Sequence, residues 1–489
     1  MVKHTQQNVE KKSCGLFGRD DVIRHVNTPL INWHGPTGTV FSVDIQPMEN
    51  DRKRRIATGG SDSNVQVWEL VKDEEGVGGV EHLAQLSRHD CAVNVVRFHP
   101  NNNVLASASD DRCLFIWKLD TTNMDGAPEI FSEEDEGVKN AENWTVIKQI
   151  RGHSSEVYDL AWSPDAAFIL SGTMDNTAYV WNTATCKKRA LLQHHKGYVQ
   201  GVAWDPGNKF ITTVSSDRSA IAYNTSKFES VQRISKMKSA QRSTPRTPTP
   251  CKVKESINNS GEGLSVSADE PGCSRPSKDL KIFLDTGMVE TFFRRPGFSP
   301  DGKLVAYPCG CYEVEMEDTP ADTGEDSMVQ INVVYLFQLK NLETPVLCLP
   351  TGKSPAIAVR FCPRFFTLRP KTTSQPKVFN LPYRMVYAVV TLDNVLLYDT
   401  QQEAPFASIS SIHYEPLTDA SWASDGSHLI VSSIDGFCTI ITLDTKKLGT
   451  EYQAEDSTTK SSHLSASVSA STSVSATPSP TPCSLPATC

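Results

Sequence analysis

This sequence of 489 residues lacks the features of several protein classes. It has no run of about 18 apolar residues, so we expect no membrane-spanning helix. Residues 1–18 are polar and include lysines, without the apolar core of a secretory signal peptide. The formal net charge is −9, which argues against a basic surface that grips nucleic acid through its phosphates.

Motifs for chemistry are also missing. The 13 cysteines are scattered, and their closest pair is Cys309 and Cys311, so we interpret them as reduced packing residues. Gly352, Lys353 and Ser354 resemble the end of a phosphate loop, but Leu347 stands where that loop needs glycine. We therefore predict no catalytic residue, no cofactor and no metal ligand.

What the sequence does contain is a repeat built on histidine. In four units an aspartate follows a histidine by 22 residues, and an apolar residue follows the aspartate by six. A fifth unit keeps the second interval but has six extra residues in the first. The five units are His89/Asp111/Trp117, His153/Asp175/Trp181, His195/Asp217/Tyr223, His413/Asp435/Ile441 and His34/Asp62/Trp68. Two further units, around 298–337 and 361–398, lack the histidine.

The residues between these anchors alternate like short strands. Segments such as 113–117 and 177–181 are β-branched and aromatic, and turn residues separate them. Four strands in about 42 residues are typical of a propeller blade. We therefore predict an all-β fold, a seven-bladed β-propeller over residues 27–448. Residues 27–33 should supply the outer strand of the last blade and close the ring.

We interpret the histidine–aspartate pairs as structural. A histidine from the preceding loop can hydrogen-bond the turn aspartate while the aromatic residue packs beneath them, which satisfies buried polar groups. Catalysis or metal binding is a weaker alternative, because the same spacing recurs in equivalent places. Gly152-His153 and Trp181-Asn182 resemble degenerate forms of the two dipeptides that mark the WD40 family.

Three insertions interrupt the repeats. Residues 121–143 and 311–327 are acidic, and residues 227–276 are rich in Ser, Thr, Pro and Lys. Such compositions bury too little apolar area to offset the entropy of ordering, so we expect flexible loops. We expect the same of residues 1–26 and of the Ser/Thr/Pro-rich tail 449–489.

Several segments resemble a narrower family, the WD40-bearing middle subunits of chromatin assembly factor 1. They are 232–237, 290–302, 381–389, 395–402 and 408–435. The resemblance implies a non-enzymatic scaffold subunit of a nuclear histone chaperone complex. That complex would deposit histones H3 and H4 on newly replicated or repaired DNA. The implied partners are the large and small subunits of the complex, the two histones and an Asf-type chaperone.

The resemblance directs attention to residues in the insertions and the tail. Family members carry an arginine-rich docking segment for the Asf chaperone after the propeller, whereas residues 451–489 contain no arginine.

Acidic loops attract basic partners. The candidate histone-facing acids are Glu133, Glu134, Asp135 and Glu136. A serine or threonine that is followed by proline is a typical target of proline-directed kinases. These candidate phosphorylation sites are Thr244, Thr247, Thr249, Thr477, Ser479 and Thr481.

Three alternatives stay open. The first is a HIRA-type, replication-independent histone chaperone subunit, which shares a related propeller. The second is a substrate adaptor for ubiquitin ligation, although Trp68, Trp117 and Trp181 lack the aspartate and arginine of the usual adaptor motif. The third is an enzyme that uses the central channel of the ring, for which the sequence indicates no set of catalytic groups.

Overall fold

Antiparallel sheets arranged in seven blades make up the fold, which confirms the predicted seven-bladed β-propeller. A computed structural model describes residues 10–12, 22–47, 53–72, 78–101, 103–121, 140–238, 279–284, 292–315, 328–370 and 379–453. We number the blades 1 to 7 in chain order and call the first strand of each blade its inner strand. The strand farthest from it in the sheet is the outer strand.

The first four blades follow one another along the chain. Blade 1 contains Val40–Ile45, Arg55–Gly60, Asn64–Lys72 and Gly78–Ser87. Blade 2 contains Val93–Phe98, Val104–Ser109, Leu114–Leu119 and Trp144–Ile150. Blade 3 contains Val157–Trp162, Phe168–Thr173, Ala178–Asn182 and Lys188–Leu192. Blade 4 contains Val199–Trp204, Phe210–Ser215, Ser219–Asn224 and Ser230–Ile234.

The last three blades are less regular. Blade 5 contains Gly297–Phe298, Leu304–Glu315, Met328–Gln338 and Leu347–Gly352. Blade 6 contains Ala356–Thr367, Tyr383–Thr391, Asn394–Asp399 and Ala407–Ser410, with Glu10–Lys12 paired at its edge. Blade 7 contains Leu417–Trp422, His428–Ser433, Cys438–Leu443 and Ile23–Asn27. A hairpin of Lys236–Lys238 and Asp279–Lys281 and a helix at Thr445–Leu448 complete the described elements.

Burial explains the strand sequences. The inner strand of blade 2, VNVVRF, is buried at all but one residue, because blades cover both of its faces. The outer strand of blade 4, SVQRI, is mostly exposed. The described helix has four residues, and no helix in the described ranges has the length and apolar character needed to cross a membrane.

The ring closes through its inner strands and through one long-range pairing. Each inner strand contacts the inner strands of both neighbouring blades, and that of blade 7 contacts that of blade 1. Ile23–Asn27 pairs antiparallel with Cys438–Leu443 and forms the outer strand of blade 7. The N-terminal segment therefore closes the ring as predicted, but the strand covers residues 23–27 and the predicted bounds of 27–33 are wrong. Pro29 lies in that segment and has no N–H to donate to a strand ladder.

Four predicted boundaries also shift. The predicted flexible segment 1–26 contains the strand Glu10–Lys12 and all but the last residue of the strand Ile23–Asn27. The predicted insertion 227–276 begins too early, because Ser230–Ile234 is the outer strand of blade 4. Its polar, exposed face gave it the composition of a loop. The predicted insertion 311–327 likewise starts inside the strand Leu304–Glu315. At the C-terminal end, the propeller unit extends to Tyr452.

Candidate functional site

In blades 1 and 2, a histidine from the preceding loop joins the turn aspartate to a buried hydroxyl. His89 Nδ1 lies 2.8 Å from Asp111 Oδ2, and His89 Nε2 lies 2.8 Å from Ser107 Oγ. The indole Nε1 of Trp117 donates to the same hydroxyl over 2.9 Å. The equivalent distances in blade 1, for His34–Asp62, His34–Thr58 and Trp68–Thr58, are 2.7, 2.9 and 3.1 Å.

Blade 4 keeps the histidine contacts with a tyrosine at the tryptophan position. His195 Nδ1 lies 3.1 Å from Asp217 Oδ2, and its Nε2 lies 2.7 Å from Thr213 Oγ1. Arg233 of the outer strand also donates to Asp217, over 2.9 Å. Tyr223 is fully buried beneath them. The aspartate is thus shared between the loop histidine and an outer-strand arginine.

Blade 7 builds the same contact from a different strand. His413 Nδ1 lies 2.9 Å from Asp435 Oδ2. The residue 18 positions after His413 is Val431, which has no hydroxyl. Thr439 of the next strand supplies it instead, with its Oγ1 2.8 Å from His413 Nε2. The apolar Ile441 stands at the tryptophan position.

Blade 3 departs from the predicted pairing of His153 with Asp175. His153 Nδ1 lies 3.2 Å from the carbonyl oxygen of Arg112 in blade 2, and its Nε2 lies 2.9 Å from Ser171 Oγ. Asp175 accepts from Tyr179 Oη over 2.9 Å and from nearby hydroxyls. The local hydroxyl donors already satisfy the carboxylate, so the predicted hydrogen bond between His153 and Asp175 is wrong.

The hydroxyl that joins each histidine to its aromatic residue was not predicted from the sequence. A serine or threonine stands four residues before the aspartate and ten before the aromatic residue in four blades. These residues are Thr58, Ser107, Ser171 and Thr213. This fixed spacing could have identified them, because a buried indole or imidazole nitrogen needs a partner.

Electrostatics agree with structural roles for these groups. Burial raises the pKa of Asp62, but the hydrogen bond and charge of His34 outweigh it, so the pKa lies below its usual value. For Asp175 burial is likewise outweighed by four side-chain hydrogen bonds, which lower the pKa to about 2. Burial lowers the pKa of His153 to about 4, so this histidine is neutral at physiological pH.

The centre of the ring contains a charged cluster that was not predicted from the sequence. Arg295 is fully buried, and its Nη1 donates to Asp159 Oδ1 over 3.2 Å and to Asp419 Oδ2 over 2.9 Å. Two more arginines reach the same carboxylate of Asp419: Arg97 over 2.8 Å and Arg360 over 2.7 Å. We call these five residues the channel cluster.

Arginines 294 and 295 make hydrogen bonds to the inner strands of all six other blades. Arg295 Nη2 donates to the carbonyl oxygens of Phe41 and Asn94 in blades 1 and 2, over 3.1 Å each. Its carboxylate partners belong to blades 3 and 7, and its N–H donates to Ile357 O of blade 6 over 2.7 Å. The N–H of Arg294 donates to Gln200 O of blade 4 over 3.1 Å. Residues 294 and 295 lead directly into the first strand of blade 5.

Charge pairing makes this burial possible. Burial lowers the pKa of Arg295 to about 10, although the negative charges of Asp419 and Asp159 act to raise it. The guanidinium therefore remains protonated at neutral pH. Burial alone would raise the pKa of Asp419, but the three arginines hold it far below its usual range. Each of the five charged groups lies in at least one ion pair, which fits a structural role for the cluster.

A second buried ion pair anchors the end of the first acidic insertion. Arg55 of blade 1 makes hydrogen bonds of 2.8–3.0 Å to both carboxylate oxygens of Glu142. The Nε1 of Trp144 also donates to Glu142, over 3.1 Å. The N–H groups of Ala141 and Glu142 both donate to Leu83 O of the outer strand of blade 1. The described end of the insertion therefore lies against blade 1.

Some predicted site residues lie outside the described residues. They are Glu133, Glu134, Asp135, Glu136, Thr244, Thr247, Thr249, Thr477, Ser479 and Thr481. They stay predictions. Within the described ranges, no three His, Cys, Asp or Glu side chains are grouped so that they could hold a metal ion.

Comparison with known proteins gives one family. Residues 24–254 and 250–448 match the model of the CAF1B/HIR1 β-propeller domain. The chain is 37% identical to the B-type subunit of chromatin assembly factor 1 from Mus musculus, over 87% of this chain and 68% of that protein. It is 32% identical to the protein of the same name in Schizosaccharomyces pombe, over 86% of this chain and 88% of that protein.

More distant similarity extends to a second group. Protein HIR1 of Chaetomium globosum is 26% identical to the chain, over 86% of this chain and 34% of that protein. The family model matches residues 24–448, so the similarity is not limited to the blades with regular histidine units.

Proposed function

The chain belongs to the CAF1B/HIR1 β-propeller family, and from this we propose that it is a non-enzymatic scaffold subunit of a histone chaperone complex. Its similarity to B-type subunits of chromatin assembly factor 1 supports a role in chromatin assembly. We propose further that the complex deposits histones H3 and H4 on newly replicated or repaired DNA in the nucleus. The observation that carries the proposal is 37% identity over 87% of the chain.

The geometry of the ring supports a scaffold role. The channel cluster joins the inner strands of the blades around a fully buried arginine, so the ring has a filled centre at that level. Loops and outer strands remain for partners, as expected of a rigid ring that presents variable surfaces. We propose the large and small subunits of the complex as its partners, and an Asf-type chaperone as a partner whose docking motif is not found.

The HIRA-type alternative has weaker support. Identity to protein HIR1 of Chaetomium globosum is 26%, against 37% to the mouse chromatin assembly protein. Purification of the full tagged chain from nuclei separates the two. We expect the large and small subunits of the assembly complex and histones H3 and H4 to co-purify. Recovery of HIR-complex subunits or of a cullin adaptor in their place would contradict the proposal.

We propose that the acidic stretch Glu133–Glu136 attracts histones electrostatically. Replacing its four acids by Gln and Asn should slow association with H3–H4 about tenfold at low salt, because charge sets the encounter rate. The difference should vanish at high salt, where the charges are screened. Stopped-flow fluorescence over a salt series measures the difference, and equal rates at low salt would contradict the proposed role of these four acids. The charge-preserving replacement of Glu133 by Asp is the matched control.

A further inference from the structure

Two stacked aromatic rings lie at the mouth of the central channel. Phe292 is 56% exposed, which is unusual for a phenylalanine. Its ring packs against that of Tyr158, which is itself buried, with 5.8 Å between centroids and 17° between planes. Tyr158 is the second residue of the inner strand of blade 3, and Phe292 lies three residues before the buried Arg295. The pair therefore lies where the segment of arginines 294 and 295 enters the ring.

A carboxylate from blade 2 lies beside these rings. Asp110 Oδ1 accepts from the Asn94 side-chain amide over 2.6 Å. The same amide nitrogen donates to the carbonyl oxygen of Val157, the residue before Tyr158, over 3.0 Å. Asp110 is thus held next to the start of the inner strand of blade 3.

A second carboxylate, Glu156, stands two residues before Tyr158, and its negative charge acts on both Tyr158 and Asp110. The N–H of Met174 donates to Glu156 O over 3.1 Å, and the Sδ atom of Met174 lies 3.3 Å from Tyr158 Oη. Burial raises the pKa of Tyr158 to about 12, and the negative charges of Asp110 and Glu156 act in the same direction. We call Tyr158, Phe292, Asp110 and Glu156 the channel mouth.

The cations near the channel mouth do not cancel its charge. Arg295 lies below, with its guanidinium 4.4 Å from the Phe293 ring, and its charge is paired with Asp159 and Asp419. Arg112 is the cation whose charge acts on Glu156. Two carboxylates and one nearby cation leave a net negative, aromatic surface.

We propose that the channel mouth binds a lysine- and arginine-rich unstructured peptide, as found in histone tails. The exposed ring of Phe292 offers an aromatic face that attracts alkylammonium and guanidinium groups, and the nearby carboxylates add charge complementarity. An extended peptide suits a surface that lies at the ends of inner strands. That the peptide is a histone tail rests on the proposed function, whereas the preference for a basic peptide rests on the residues of the mouth.

Fluorescence polarisation with the full chain tests the proposal. The probe is a labelled synthetic peptide with the sequence of the histone H3 N-terminal tail. Phe292→Ala should weaken binding about five- to tenfold, because a cation over an aromatic ring is lost. Glu156→Gln should weaken it less and flatten its salt dependence. Tyr414→Ala removes an 86% exposed aromatic residue from blade 7 and is the matched control, expected to bind like the unchanged chain.

Peptide variants keep the test independent of protein folding. The tail peptide with every lysine and arginine replaced by glutamine should lose binding. Equal affinity for both peptides, equal effects of Phe292→Ala and Tyr414→Ala, or no binding of any tail peptide would overturn the proposal. Purification from nuclei separates this result from the proposed function. A chain that retrieves the assembly subunits but binds no tail peptide contradicts only the channel mouth.

Discussion

Blade 2 and the centre of the ring are held together in different ways. In blade 2, His89 joins the turn residue Asp111 to Ser107, and all three belong to that blade or the loop before it. At the centre, Arg294 and Arg295 make hydrogen bonds to the inner strands of six blades. The histidine networks of blades 1, 2, 4 and 7 therefore stabilise single blades, while the two arginines stabilise the ring as a whole.

Blades 5 and 6 differ again, because their units lack the histidine. In blade 5, Tyr307 Oη lies 2.9 Å from Thr212 Oγ1 of blade 4, and Tyr335 Oη donates to Cys311 O over 2.7 Å. In blade 6 the fully buried Arg384 donates to Asp399 over 3.3 Å. In these two blades, large buried side chains make the hydrogen bonds that buried polar atoms need.

The largest expected effect is at the centre. Arg295→Met leaves Asp159 and Asp419 with fewer partners in a buried site, and should lower the free energy of unfolding by about 3–5 kcal/mol. Urea titration followed by tryptophan fluorescence measures it. Arg233→Met is the matched control, because this arginine also pairs with an aspartate but is partly exposed, and should cost under about 1 kcal/mol. Equal losses would contradict the central role of Arg295.

The next effect concerns the space for the arginine segment. Gly201 stands in blade 4 where Asp159 stands in blade 3, and an added Cβ would lie 1.9 Å from Arg294 O. Gly201→Ala should therefore displace the segment and cost about 3 kcal/mol in unfolding free energy. Gly79→Ala, whose Cβ would have ordinary contacts at 3.5 Å, is the control. Wild-type stability of Gly201→Ala would show that the segment does not need this close approach.

A smaller loss should follow removal of one network hydroxyl. Ser107→Ala leaves the buried nitrogens His89 Nε2 and Trp117 Nε1 without their shared partner, at a cost of about 2 kcal/mol. Ser226→Ala, at an exposed serine, should change the unfolding free energy by under about 0.5 kcal/mol. Urea titration of both variants measures the two changes in unfolding free energy. Equal small changes would mean that the hydroxyl does not join histidine and tryptophan.

The smallest effect depends on pH. The pKa of Asp175 is lowered in the folded chain from 3.8 to about 2, so its stabilising contribution is present above pH 4. That contribution is lost as pH falls towards 2. Asp175→Asn should therefore flatten the decline of the melting temperature between pH 4 and pH 2. At neutral pH it should leave the His153–Ser171 contact intact. An unchanged acid profile would contradict the lowered pKa.

The regular part of the fold could be predicted because its spacing is local. An interval of 22 residues located His89–Asp111, His195–Asp217 and His413–Asp435, which the structure brings within 3.1 Å. The same interval failed for His153 and Asp175. There, hydroxyl groups from neighbouring positions satisfy the aspartate, and histidine turns to a carbonyl of the preceding blade.

The channel cluster could not be read from spacing, because its members are far apart in the chain. Arg295 and Asp419 are 124 residues apart, and no periodic pattern pairs them. A weaker signal was available. Two adjacent arginines lie between the phenylalanines at 292 and 293 and a Pro-Gly pair, and charges within apolar sequence often indicate a buried ion pair. Their partners become evident only once the ring brings seven inner strands together.

Histone deposition by a reconstituted complex tests the scaffold proposal most directly. Plasmid supercoiling can be measured after incubation with H3–H4 and the large and small subunits, with or without this full chain. We predict that deposition requires this chain. One molecule of the chain for each molecule of the large and small subunits should be sufficient, because a scaffold acts by binding. Unchanged deposition without the chain would contradict the proposal that this propeller is the platform on which histones are assembled.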